Sequence, residues 1–470
     1  MFLASCAGAA AENSDPHGFG GSSSSTSGPA VFTTSTGAAE DSLPTTSTGA
    51  SEASTTTTAN PSGTTGPGNS CGDGVVDEGE SCDDPNGANA DGCNEDCTSS
   101  GELLWSATVG GSLGLEEDFF GLAVAYDGRA FATGAFFESN LGADFWVQQF
   151  EEDGTPGWSV LIDGTGDGHD GGRAATVTDD AVYVAGKLAA ANGGDEWVVG
   201  EFGLDGTSVW TALSGGLALG DDAARGVAAG PDGSLHVAGR VFSAVGDGDI
   251  LIRRYFDGGA EGWSSLYDGD AHGYDGARAI AAATSGDLVV GGFETVADNG
   301  LDGWTARYRA DGELLWAETF QGPAGLDDIT SGVAVDGEGS VYGVGHTTLA
   351  EGVASGWIRK WAPDGTAEWT HTWGGDDSVP LVSFLAVAVD SEDRVVAAGS
   401  ETSGAKRGLL QKLSSEGDLL WTERFGDPVR GNKRFRTVAI GPGDHIWAAG
   451  RIDLGARDDG FEGWIVRVAP

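Results

Sequence analysis

The chain has 470 residues, with 24 Lys+Arg against 72 Asp+Glu, for a net charge of −48. A polyanion of this kind is repelled by nucleic acid and by anionic membrane surfaces, which excludes both as partners, and it attracts divalent cations or basic partners instead. Its 81 glycines follow no collagen period and point to short strands joined by tight turns, and no apolar run reaches the ~20 residues of a membrane-spanning helix.

Residues 1–6 read Met-Phe-Leu-Ala-Ser-Cys. Leu3-Ala4-Ser5-Cys6 resembles the lipobox of bacterial lipoproteins, which implies an exported protein with a lipid anchor at Cys6. The charged and apolar regions of a signal peptide do not precede it, so the true start is expected upstream of Met1. Residues 7–70 are Ser, Thr, Gly, Ala and Pro with almost nothing to bury. Such a stretch cannot offset its ordering entropy and is expected to be a disordered stalk, with a reach of roughly 45 Å as a flexible coil.

Residues 71–97 follow, with Cys71, Cys82, Cys93 and Cys97 spaced x10, x10, x3. Zinc sites usually show two short Cys pairs, and only Cys93/Cys97 qualifies. Two disulfides are expected, with three pairings open. The stretch Cys71-Gly72-Asp73-Gly74, Asp77, Gly79-Glu80, Cys82-Asp83-Asp84 and Asp91-Gly92-Cys93 closely resembles the myxobacterial cysteine-rich repeat. The resemblance implies an exported protein and no particular activity. The hard oxygen donors Asp73, Asp77, Glu80, Asp83, Asp84 and Asp91 suit Ca²⁺, or else form a solvated acidic loop.

From residue 101 a tryptophan returns at Trp105, Trp158, Trp210, Trp263, Trp316, Trp369 and Trp421, in steps of 52 or 53. Each unit holds four short strand patterns bounded by Gly, Asp or Pro, with no helical period. The second ends in a recurring glycine: Gly134, Gly186, Gly239, Gly292, Gly345, Gly399 and Gly450. The third carries Trp146, Trp197, Trp304, Trp357 and Trp464, with Leu251 and Leu409 in the other two units. Four-stranded units repeated seven times predict an all-β, seven-bladed β-propeller over 101–470. The chain enters with a lone Trp strand and leaves after a third strand, so residues 101–110 are expected to complete the last blade and close the ring. The region resembles the tandem β-propeller repeats of secreted bacterial proteins. Its Asp-Gly-x-x-x-Trp turn is similar to the tryptophan-docking motif of pyrroloquinoline-quinone propellers, but those usually have eight blades and no cofactor site is evident here.

Twelve residues after the repeat Trp stand Glu117, Asp170, Asp222, Asp275 and Asp328, replaced by Leu381 and Lys433 in the last two units. Three residues further on stand Arg173, Arg225, Arg278 and Arg436. This set is either a polar ring for a ligand or metal, or a set of acids that each order their own loop and pair with the nearby Arg. Two loops carry added metal-ligating groups: Asp163, Asp167, His169 and Asp170, then Asp268, Asp270, His272 and Asp275. The basic stretch with Arg430, Lys433, Arg434 and Arg436, near Lys406 and Arg407, suggests docking of an anionic glycan or acidic partner, or neutralisation of the acidic loops.

No nucleophile elbow, His-Glu-x-x-His or phosphate loop is present. The reading is a monomeric, surface-anchored, non-enzymatic binding or scaffold protein that engages an extracellular glycan or protein, with Ca²⁺ as the one cofactor the acids suggest. The alternatives are a propeller hydrolase or lyase acting on polysaccharide through loop carboxylates, and a structural envelope component.

Overall fold

The computed structural model describes residues 31–35, 71–72, 76, 80–84, 87, 92–110, 116–139, 142–166, 168–191, 193–214, 220–242, 248–297, 300–426, 432–453 and 460–470. They form an all-β propeller of four-stranded blades, and no α-helix occurs among the described residues. Strand β1 (Val31–Ser35) falls within the stretch read as a stalk, and β2 (Leu103–Val109) carries the first repeat Trp.

The next strands run as antiparallel meanders. The first is β3 (Asp118–Val124), β4 (Ala130–Ser139), β5 (Gly142–Phe150) and β6 (Pro156–Asp163), with β1 paired along the outer edge of β6. Then come β7 (Gly171–Val177), β8 (Ala181–Ala189), β9 (Asp195–Gly203) and β10 (Ser208–Ser214). These are followed by β11 (Ala223–Ala229), β12 (Leu235–Phe242), β13 (Gly248–Tyr255) and β14 (Glu261–Tyr267). A further meander is β15 (Gly276–Ala282), β16 (Leu288–Val296), β17 (Gly300–Tyr308) and β18 (Leu314–Phe320). An eight-stranded sheet joins β19 (Asp328–Val335), β20 (Val341–Ala350), β21 (Val353–Trp361) and β22 (Ala367–Gly374) to β23 (Leu381–Val389), β24 (Val395–Ser403), β25 (Ala405–Leu413) and β26 (Leu419–Phe425). The link is one parallel pairing, Ala354 with Leu381. The last sheet is β27 (Lys433–Ile440), β28 (Ile446–Ile452), β29 (Glu462–Val468) and, from the other end of the domain, β2.

The first strands β3, β7, β11, β15, β19, β23 and β27 lie side by side in chain order, and β27 returns to β3. They form the inner wall of a closed ring. Apolar residues alternate along the strands and are buried between adjacent blades. Val147, Val160 and Ile162 meet Val182, Val184 and Val198, for example. Where β27–β29 and β2 meet the first meander, Phe119, Trp146, Trp447 and Ile465 make the same kind of seam, with Trp105 against it.

The repeat Trp is the outer clasp between blades. Trp105, Trp158, Trp263, Trp316 and Trp369 each donate their indole N–H to a carbonyl in the turn of the next blade, at 3.0–3.1 Å. A turn glycine with positive φ lies on the ring face: a Cβ on Gly312 would stand 2.9 Å from Trp263, and one on Gly365 2.9 Å from Trp316. Only glycine combines that backbone conformation with that approach. Gly101, just before β2, sits in the same way on Trp421.

In the cysteine module Cys71 bonds Cys97 and Cys82 bonds Cys93, a choice the spacing left open. Asp83 Oδ1 accepts the Gly72 amide at 2.7 Å and Asp84 Oδ1 the Gly87 amide at 2.9 Å, so both carboxylates hold turns. Cys6, Asp73, Asp77, Asp167 and Arg430 lie outside the described residues.

Candidate functional site

Each inner strand carries a β-bulge. The register against the second strand slips at Phe120, Arg173, Arg225, Arg278, Ser331, Leu385 and Arg436. A bulge leaves one residue unpaired and re-aims its side chain. The recurring glycine stands opposite it. Gly292 pairs with Ala277, and a Cβ there would lie 2.2 Å from the Gly276 carbonyl oxygen. The other six recurring glycines show the same approach, between 1.8 and 2.2 Å. The period-53 glycine and the arginine column are therefore two halves of one device. The glycine lets the inner strand fold inward, and the bulge turns its extra residue toward the channel.

The arginines have two fates. Next to β3, Arg436 Nε reaches Asp118 Oδ2 at 2.7 Å, with Arg434 at 3.5 Å and Arg451 at 3.8 Å from the same oxygen. Arg436 and Arg173 lie on either side of the Phe120 ring, at 4.5 and 4.4 Å. Arg434 and Arg436 thus turn toward Asp118 rather than away from the closed ring. Lys433 rests on Trp464, 5.2 Å from the ring centroid, and burial pulls its ammonium below the usual lysine range.

On the opposite side, Arg225, Arg240 and Arg278 form no ion pair with any described residue. Arg240 is 7 % exposed, donates to the Asp221 carbonyl at 3.0 Å and lies 4.6 Å over the Tyr274 ring. Arg278 lies 5.4 Å over Phe293. The Nε atoms of Arg240 and Arg278 are buried without a hydrogen-bond partner. Burial, reinforced by Arg225, Arg240 and Arg436, pushes the Arg278 guanidinium down to about 9. Burial and Arg225 take Arg240 to about 10. Burial and the charge of Arg278 hold His346 near 4, so it is neutral at neutral pH. This wall of the channel carries concentrated positive charge inside a protein of net −48.

Acids of the column accept backbone amides. Asp170 accepts the Gly164 and Ala189 amides, both at 2.6 Å. Asp275 accepts those of Gly269 at 2.6 Å and Thr295 at 2.7 Å. Asp328 holds Gly322 and Thr348, and Asp222 holds Phe242. Asp170, Asp275 and Asp328 each tie their own loop to the end of the second strand. No ion pair joins Asp275 to Arg278 or Asp328 to any Arg among the described residues, so the expected acid–Arg pairing three residues on does not form there.

Two acidic groups bring ligand atoms within 4.8 Å of one another: Asp144, Asp163 and Asp170, and Glu80, Asp83 and Cys97. The sulfur of Cys97 is bonded to Cys71, which leaves the first trio as the set suited to a hard cation such as Ca²⁺. Asp268 instead pairs with His272 Nδ1 at 2.7 Å, and Asp270 is exposed.

Burial, with Asp163 and Asp144 adding, raises the Asp170 carboxyl to about 7. A raised folded-state value means that Asp170's contribution is fully present below its ordinary 3.8 and is lost as pH rises through about 7. Asp163→Asn removes one repelling charge. In chelator it should stabilise the protein by about 1 kcal/mol at pH 8 and by much less at pH 5, read by paired thermal melts. An equal gain at both pH values would contradict this assignment.

Sequence reasoning missed Arg240, Arg451 and His346, which directly follow the recurring glycines Gly239, Gly450 and Gly345. The polar character of that position was the available signal. It also missed Asp118 and Tyr274, which show no period, and Asp144, which recurs with Asp195, Asp249 and Asp302 two residues before the third-strand Trp or Leu.

No protein-family model matches the chain, and no curated protein matches it. Among solved structures, it is similar to a protein of unknown function from Bacteroides caccae, with TM-score 0.38 and 11 % identity over 66 % of this chain and 94 % of that one. It is also similar to a Drosophila Plexin A structure in complex with Semaphorin 1b, with TM-score 0.45 and 10 % identity over 79 % and 88 %. A third is a protein of unknown function from Dyadobacter fermentans, with TM-score 0.43 and 10 % identity over 78 % and 99 %.

Proposed function

We propose that the chain is an exported, surface-anchored binding protein without enzymatic activity. In this reading a seven-bladed propeller, carried on a lipid-anchored stalk and a cysteine-rich module, presents its channel mouth to an extracellular glycan or protein. The ring closes through β2, whose Trp105 pairs with Arg467 of β29. The observation that carries the reading is the wall of Arg225, Arg240 and Arg278, held without ion-pair partners among the described residues of a strongly acidic chain. Three guanidinium groups held close together without an ion pair repel one another, so their retention favours a ligand that supplies the counter-charge.

The test is a glycan array probed with the full chain, followed by product analysis of each glycan that binds. Retention of intact glycans is expected. Shortened or unsaturated products would replace this reading with the hydrolase or lyase one, and an array with no binder would remove the glycan branch.

A further inference from the structure

Arg225, Arg240, Tyr274, Arg278, Phe293 and Asp327 line one cavity of about 120 Å³ at the channel end of the seam between the β11–β14 and β15–β18 blades. Its volume suits one small charged group rather than a whole oligosaccharide. Three guanidinium groups from two blades converge on it, two through bulges and one through the residue after a recurring glycine. Arg240 is more than nine-tenths buried, and its Nε has no hydrogen-bond partner, as is also true of the Arg278 Nε. Among the described lining residues Asp327 is the one acid; it accepts the Leu301 amide at 3.1 Å and forms no ion pair with these arginines.

An aromatic shelf stands at the mouth. Tyr274 is 39 % exposed and stacks on Phe293 at 5.6 Å and 26°, while Arg240 sits over its ring. With Phe293 and Arg240 against its ring, Tyr274 keeps an exposed edge that can contact a sugar ring, while the guanidinium groups offer charge-assisted hydrogen bonds to an acid that the sugar bears. An extended acidic peptide would have no comparable use for the ring.

We infer that this cavity is a subsite for the carboxylate of a uronic acid residue. The guanidinium groups of Arg225, Arg240 and Arg278 hold the anion, and the exposed edge of Tyr274 contacts the sugar ring. The inference rests on the glycan-binding reading above and names its chemical class. An anion there would lower the mutual repulsion of the three arginines, so binding and relief of internal strain share one origin.

The experiment is calorimetric titration of the full chain with sodium glucuronate, oligogalacturonate, glucose, sodium sulfate and a short poly-glutamate peptide, all at matched ionic strength. Glucuronate and oligogalacturonate should bind, and glucose should not. Arg278→Gln and, separately, Arg225→Gln should each weaken glucuronate at least about tenfold, the usual worth of a charged hydrogen bond. Tyr274→Ala should weaken glucuronate and leave sulfate unchanged, which separates a sugar acid from a simple anion.

Without ligand, Arg278→Gln should melt at the wild-type temperature or above it, because it removes a like charge. A purely structural arginine would instead lower it. Unaltered glucuronate binding in both arginine variants would overturn the inference, as would poly-glutamate binding more tightly than oligogalacturonate. If neutral glycans bind on the array and Arg278→Gln leaves them unaffected, the glycan reading survives and the uronate subsite falls. If glucuronate binds in an Arg278-dependent way but no arrayed glycan is retained, the subsite stands and the polymer reading falls.

Discussion

Removal of residues 101–110 is expected to unfold or strongly destabilise a domain that extends some 360 residues beyond them. Those ten residues hold β2, the outer strand of the last blade. Leu103 pairs with Val468, Ser106 with Val466 and Thr108 with Trp464 along β29. Trp105 packs edge-on against Trp447 at 5.0 Å and donates to the Glu152 carbonyl of the first meander at 3.0 Å, while Gly101 covers Trp421. The strand therefore ties three blades together. Trp105 is half-buried, so loss of its packing alone is worth about 2–3 kcal/mol, below the range for a fully buried Trp. For a domain of this size that corresponds to a fall of a few degrees in midpoint. The deletion would also leave β29 as an unpaired edge, so self-association should accompany the lost stability. Calorimetry together with size-exclusion chromatography reads both effects. A truncated chain that melts like the intact one as a monomer would refute ring closure by this strand.

Gly292→Ala should cost about 3 kcal/mol, at the upper end of overpacking effects. The added methyl would meet the Gly276 carbonyl oxygen at 2.2 Å and the Ala277 Cα at 2.8 Å. Both are backbone atoms fixed by the β15–β16 ladder, so no side chain can rotate away to relieve the contact. The inner strand must withdraw, and the bulge that carries Arg278 withdraws with it. The substitution should thus lower stability and anion affinity together, whereas Arg278→Gln lowers affinity alone. Gly337→Ala is the matched control. It has open space around its Cβ and should change stability by less than about 0.5 kcal/mol. Urea melts of the two glycine variants, with glucuronate titrations alongside, provide the comparison. Equal stability of Gly292→Ala and Gly337→Ala would show that the glycine is not what permits the bulge.

The repeating features were legible because they are local. A Trp every 52 or 53 residues, a glycine ending the second strand and a Gly turn before each Trp strand are all requirements of one blade on itself or on its immediate neighbour. Periodicity therefore exposes them, and the closing role of residues 101–110 follows from where the period starts and stops. The arginine column was also visible at Arg173, Arg225, Arg278 and Arg436, but its spacing alone did not reveal that these residues are bulges. The link to the recurring glycines appears only in the strand register.

By itself the sequence determined the strands, their grouping and the clasp between blades, because those depend on side-chain alternation and turn chemistry within some fifty residues. Which charges meet across the ring was decided by the tertiary structure alone. Arg436 finds Asp118, 318 positions away, because β27 lies beside β3 once the ring shuts. Arg225, Arg240 and Arg278 share a cavity because two blades meet there, and among the described residues no carboxylate forms an ion pair with them. Arg436, Arg225 and Arg278, with the same place in the repeat, thus came to different electrostatic surroundings. A repeat sets where a residue points, while the closed ring sets which charges it faces.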